Sequence, residues 1–199
     1  MILRRVRTQV GGLVFHGAAF LLPGAGLDRR RAGRGEIEAW ASEVLGRPVR
    51  LSTVCPACGS VAHGQPRLEL DPRGEPSPAS RAGGDLARIS YARASLDGGG
   101  LAIAAVVVLS AGGGPLPEWA RVGVDLEARG RKGAPHPRGW GEYALTPAER
   151  GRVAASADPE AASLRVWTQK EALAKLTGRG LEIEPQALDT ALVQPPDTH

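Results

Sequence analysis

"RVGVDLEARG", residues 121–130, decides how this chain is read. It is an apolar run that carries Asp125 and then Glu127. In extended chain, side chains alternate between faces, so residues i and i+2 point the same way. The run predicts a strand over 121–127 with two carboxylates side by side. Two such groups repel, and burying either without a partner is costly. Taken alone, the pair reads as solvated strand-end residues, or as two carboxylates that hold something.

Working outward, residues 128–141 read as a charged loop rich in Gly and Pro. "LTPAERGRVAA" then predicts a helix with Thr146 as N-cap, Pro147 at N1 and Glu149 at N3. A second helix is expected from about Glu160 to Thr177, closed by Gly178, with an apolar stripe of Leu164, Trp167, Leu173 and Leu176. "ALDTALV" is the last strand candidate. Upstream, "AGGGPLPEW" (111–119) combines freely turning Gly with stiff Pro and marks the best domain boundary. Before it, 86–94 and 101–110 bracket "SLDGGG" as a hairpin, and its second strand is apolar on both faces, hence central. Residues 71–84 form a polar loop, and 49–54 a strand. A helix runs from about Gly35 to Leu45, ended by Gly46 and Pro48, and residues 10–22 read as strand.

Composition narrows the class. The chain has 199 residues, of which 42% are hydrophobic, enough for one large domain or two small ones. The net charge of +4 favours an acidic partner only slightly. Two cysteines, Cys55 and Cys58, exclude a disulfide-rich scaffold. No breaker-free apolar run is long enough to predict a membrane span. The N-terminus has the outline of a secretory signal, a basic cluster before an apolar stretch, but His16 and several glycines interrupt it. A pair of strands, or a strand and a loop, and a cytoplasmic protein are the expectation. No internal repeat is visible.

Two phrases stand together: "VGVDLE" at 122–127 and "WTQKEALAKLTGRGL" at 167–181, with "LTPAE" between them. This combination resembles the Sfp-type 4'-phosphopantetheinyl transferases over roughly residues 121–181. Weaker likeness extends upstream: Cys55, Cys58 and Gly59, then His63, Gly64, Gln65 and Pro66, then Ser90-Tyr91-Ala92. The chain departs from the family pattern at Gln65, where some members have lysine, and at Tyr91, where they have a phosphate-binding histidine. Tyrosine gives up a positive charge but keeps a donor.

The resemblance implies an α+β fold: a pseudo-twofold pair of similar α/β subdomains, residues 1–114 and 115–199, with coenzyme A between them. It implies transfer of 4'-phosphopantetheine from coenzyme A to a serine of an acyl or peptidyl carrier protein, with release of 3',5'-ADP. Mg²⁺ would be held by Asp125, Glu127 and Glu171. Gly64, Pro66, Ser90, Tyr91, Lys170 and Lys175 would contact the coenzyme. Either Glu149 or Glu171 would take the serine proton, and Lys175 would meet a phosphate as a point charge. Only 18 residues follow Leu181 and they end in "QPPDTH", so the second sheet is expected to be short, with an open edge that oligomerisation could cover.

Each feature also has a plainer reading. Glu149 completes a capping box with Thr146. Glu171 and Lys175 form an ordinary i,i+4 pair worth about 0.3–0.5 kcal/mol. Cys55, Cys58 and His63 are part of a zinc site only if a fourth ligand such as His16 joins them, and otherwise the cysteines are small packed residues. Arg29, Arg30, Arg31 and Arg34 meet the coenzyme's 3'-phosphate or an acidic carrier, or form a solvated basic loop. Two alternative functions remain: a member that binds coenzyme A without transfer, and a basic zinc-containing module that binds nucleic acid.

Overall fold

In a computed structural model, the structure describes residues 2–24, 28–55, 58–61, 64–70, 85–129, 143–178 and 183–193. The 71–84 loop, most of the 128–141 loop, His63 and residues 179–182 lie outside them.

The chain begins as a hairpin. Strand β1 (Ile2–Val10) pairs antiparallel with β2 (Leu13–Leu22) across Gly11 and Gly12. Both glycines have positive φ, 55° and 80°, as a two-residue hairpin turn requires. The strand expected over 10–22 is thus broken at this turn and preceded by another. Strands β5 (Ala87–Ser95) and β6 (Leu101–Ser110) form the expected second hairpin, and all four strands make an antiparallel sheet in the order β1-β2-β6-β5. β6 is interior, as its two apolar faces imply. β3 (Val49–Val54) and β4 (Gln65–Leu70) form a separate two-stranded sheet.

Helix α1 (Arg29–Leu45) covers one face of the large sheet and starts six residues earlier than expected. Asp28 explains the early start: its Oδ1 accepts from Arg31 N–H at 3.3 Å and its carbonyl from Ala32 N–H at 2.9 Å. The arginine cluster therefore lies in a helix rather than a loop, and Arg34 pairs with Glu38 one turn on. Phe20, Ile37, Trp40, Ile103 and Val107 fill the interface, with Phe20 and Trp40 edge to face at 6.0 Å. Each such buried side chain stabilises by roughly 1.5–3 kcal/mol.

The opposite face is covered by the start of the second half. Leu116 and Ala120 pack on Leu13 and Val108, with Val122 at the margin. Arg88 on β5 fastens this segment: its Nη1 donates to the carbonyls of Pro117, Glu118 and Ala120. The end of the stretch expected as the domain boundary is thus held against the first half.

The fold is mixed α and β, with antiparallel sheets and helices α1, α2 (Pro147–Ala154) and α3 (Pro159–Thr177). The described residues of the second half contain no strand. Residues 121–128, expected as a strand, form neither helix nor strand with the described residues, and the last strand candidate forms 3₁₀ turns at Pro185–Ala187 and Thr190–Val193. Edge strands among the described residues therefore belong to the first half, not to a C-terminal sheet. The exposed edge β1 carries Arg4, Arg5 and Arg7, charges that discourage edge-to-edge pairing. No helix among the described residues is long and apolar enough to cross a membrane.

Candidate functional site

Residues 121–129 run along α3 in the opposite direction. Arg121 Nη1 donates to the Thr177 carbonyl at 3.1 Å, at the helix C-terminus, where a cation is favoured. Arg129 donates to the Asp158 carboxylate at 2.6 and 3.1 Å, at the N-cap. Eight extended steps of about 3.3 Å and nineteen helical steps of about 1.5 Å both come to about 26–28 Å, so segment and helix match end to end. Gly123 lets them touch: a Cβ there would lie 2.0 Å from the Ala172 carbonyl oxygen. The period-two alternation survives without a ladder. Arg121, Gly123 and Asp125 face the helix, while Val122 packs toward the sheet and Val124 N–H donates to Ser90 Oγ at 3.0 Å.

Asp125 is the centre of this arrangement. Its side chain is 9% exposed. Oδ1 accepts from Lys175 Nζ at 2.5 Å, while Oδ2 is buried with no hydrogen-bond partner. Helical side chains lean toward the N-terminus, which brings the Lys175 stem back over Asp125. Glu171, one turn before Lys175, is half-buried. Desolvation pushes its carboxyl up, Asp125 and Glu127 push it further, and Lys175 opposes them. The three carboxylates expected to act together therefore share one electrostatic neighbourhood.

Lys170 and Glu149 are placed elsewhere. Their side chains are 1% and 0% exposed and meet at 2.8 Å. Glu149 Oε2 also accepts from Thr146 N–H, the reciprocal half of the capping box, and Oε1 accepts from Thr190 N–H and Oγ1. Lys170 Nζ donates to the carbonyls of Pro185 and Leu188, both at 2.8 Å, so all its donors are used. Burial alone would raise the Glu149 pKa, but the Lys170 ammonium and the Thr146 and Thr190 donors outweigh it and lower it to about 2. Lys170, expected to meet a phosphate, and Glu149, expected as cap or base, are thus occupied by each other and by neighbouring protein groups. Together they fasten the segment after α3 to α2 and α3.

The first half reaches the site at two points. Ser90 is one, through Val124. The other escaped the sequence: Gln65 packs on Gly178, its Nε2 lying 1.7 Å from where a Cβ at Gly178 would be. Gly178 has φ 76° at the end of α3 and so serves both the helix stop and this contact. Gly64 and Pro66 flank Gln65. Tyr91, one residue from Ser90, lies on the other sheet face, against the α1 core, with the Arg93 guanidinium 5.5 Å from its ring centre. Strand alternation thus separates Tyr91 from Ser90 and Asp125.

Cys55 is half-buried and Cys58 exposed, flanking a turn that Gly59 N–H closes onto the Cys55 carbonyl at 2.8 Å. Their suggested partner His63 is outside the described residues. His16 lies on β2, in a hollow with Arg5, Arg7 and Trp40. Among the described residues no three His, Cys, Asp or Glu side chains converge into a metal cage. The carboxylate cluster nevertheless suits Mg²⁺. That ion takes one or two protein carboxylates and completes its shell with water and phosphate oxygens. Asp125 has an unpartnered buried oxygen to give it. Beside the cluster, a cavity of about 470 Å³ opens between the 123–129 segment and α3, lined in part by Leu126, Glu127, Arg165 and Thr168.

The matched segment, its helix and the cluster between them coincide with a known family pattern. Residues 121–198 match the 4'-phosphopantetheinyl transferase superfamily. The match begins at Arg121, where the segment meets the end of α3, and takes in Asp125, Glu127, Glu149, Lys170, Glu171 and Lys175. It points to a transferase and to phosphopantetheine transfer in general. No curated protein matches the chain.

Proposed function

We propose that this chain transfers 4'-phosphopantetheine from coenzyme A to a serine hydroxyl of an acyl or peptidyl carrier protein, in the cytoplasm. The observation that carries the proposal is Asp125: a buried carboxylate in the superfamily-matched segment, with one oxygen on Lys175 and the other unpartnered. Coenzyme A would lie between residues 1–114 and 115–199, the two halves that the family pairs. Ser90 borders that cleft through Val124, and Gly64 and Pro66 through Gln65 between them, which packs on Gly178. Tyr91 would need to be reached from the opposite face of β5.

Asp125, Glu127 and Glu171 would hold Mg²⁺, which when bound neutralises charge on the phosphoryl oxygens. The serine oxygen forms a bond to the β-phosphorus, and the bond from that phosphorus to 3',5'-ADP breaks. Glu171 receives the serine proton, directly or through one water. It is preferred to Glu149 because every Glu149 oxygen is already occupied and its proton affinity is depressed. Lys175 supplies the positive charge facing a coenzyme phosphate.

The test is to incubate the protein with coenzyme A, Mg²⁺ and a panel of unmodified carrier proteins and weigh the carriers by mass spectrometry. A gain of one phosphopantetheinyl group on the carrier serine, absent with Asp125→Ala, is expected. Coenzyme binding with no carrier modified would support the alternative, a coenzyme-binding protein without transfer.

A further inference from the structure

Lys175 does something in this structure that a phosphate ligand need not do. Its ammonium is bound to Asp125 Oδ1, in the position of a counter-ion. Asp125 is more than nine-tenths buried, and its second oxygen faces no donor. Lys175 itself is only two-thirds buried, on a long flexible stem. A buried carboxylate needs a cation, and this one is held by a cation that can swing away.

We propose that Lys175 and a divalent cation exchange at Asp125: the ammonium neutralises the carboxylate until the metal arrives, and the metal then displaces it. This rests on the transferase reading of the cluster and adds a switch to it. The physical reason is repulsion. Two positive charges about 4 Å apart at a partly buried site repel strongly, so Asp125 favours one of them. Displacement also frees the Lys175 ammonium as the metal site fills. A neighbouring cation changes a carboxylate's affinity for protons by one to three powers of ten, and the same range is expected for a metal ion.

Mn²⁺ serves as the probe, read by electron paramagnetic resonance of the folded protein without coenzyme. Lys175→Met should bind Mn²⁺ about 10-fold more tightly than the parent, or better. Arg121→Met removes a charge from the same segment but not from Asp125, and should stay within about 2-fold of the parent. Asp125→Asn in the Lys175→Met background should abolish the gain. The unaltered chain gives a second readout that does not depend on a variant folding. It has only three lysines, 132, 170 and 175, so amine labelling followed by mass spectrometry resolves each. Mg²⁺ should speed labelling of Lys175 and leave the buried Lys170 unlabelled. Equal or weaker Mn²⁺ binding by Lys175→Met, or Lys175 labelling indifferent to Mg²⁺, overturns the exchange and leaves the transferase reading standing. A folded parent and variant that both fail to bind Mn²⁺ overturn the exchange and the metal assignment together.

Discussion

Replacing Lys170 with methionine removes a charge that the structure buries completely and surrounds with partners. Glu149 would then keep its burial and lose its counter-ion, and the carbonyls of Pro185 and Leu188 would each lose a donor. Breaking one side of a buried pair costs about 3–5 kcal/mol. Lys170, Thr146 and Thr190 together also outweigh the burial of Glu149. Glu149 drops from 4.5 to about 2, and a fall of about 2.5 units at 1.36 kcal/mol each is about 3 kcal/mol of stability. Because the folded pKa is the lower one, this stability is fully present above about pH 4.5 and is lost as the pH falls toward 2. Urea unfolding of the parent, Lys170→Met and Glu149→Gln, followed by circular dichroism from pH 7 down to 3, measures it. Lys170→Met should lose about 3 kcal/mol at pH 7, and Glu149→Gln should flatten the acid dependence. Folded Lys170→Met should bind coenzyme A within about 3-fold of the parent, since all three Lys170 donors are used within the protein. Parental stability combined with lost coenzyme affinity would refute this reasoning and make Lys170 a phosphate ligand.

Three further outcomes follow from the same contacts. Gly123→Ala puts a Cβ 2.0 Å from the Ala172 carbonyl and should cost about 1–3 kcal/mol, seen as a lower melting temperature and a loosened 121–129 segment in hydrogen exchange. Arg88→Met frees the carbonyls of Pro117, Glu118 and Ala120, so limited proteolysis should cut within 111–120 faster than in the parent. Glu171 is raised above its ordinary value by burial and by Asp125 and Glu127, so metal binding should weaken on acidification at a pH above the usual carboxylate range; a profile that weakens only below it would place Glu171 away from the cluster.

Much of this was written locally in the chain. The capping box at Thr146 and Glu149, the Gly178 stop and the β5–β6 hairpin depend on neighbours in sequence, and each formed as its residues imply. The nearness of Asp125, Glu127 and Glu171, whose charges act on one another, was legible in the motif. What faces the 121–129 segment was not legible. Period-two alternation suits a strand in a sheet or a segment laid on a helix, and only Gly123 hinted at the close approach that α3 makes. The role of Lys170 was hidden by its neighbour Glu171. The signal was there: Ser163, Lys170 and Ala174 share the buried face of α3, so Lys170 had to find internal partners. Those partners lie 15 to 21 residues away along the chain, beyond any local pattern.

The central claim is that Asp125 is the metal-holding carboxylate of a coenzyme A site. Calorimetric titration of coenzyme A into the parent and into Asp125→Ala, each with and without Mg²⁺, tests it without any carrier protein. The account predicts binding by the parent that strengthens with Mg²⁺, and a folded Asp125→Ala on which Mg²⁺ has no effect. Binding that is the same in both proteins and indifferent to Mg²⁺, or no binding by the folded parent, would contradict it.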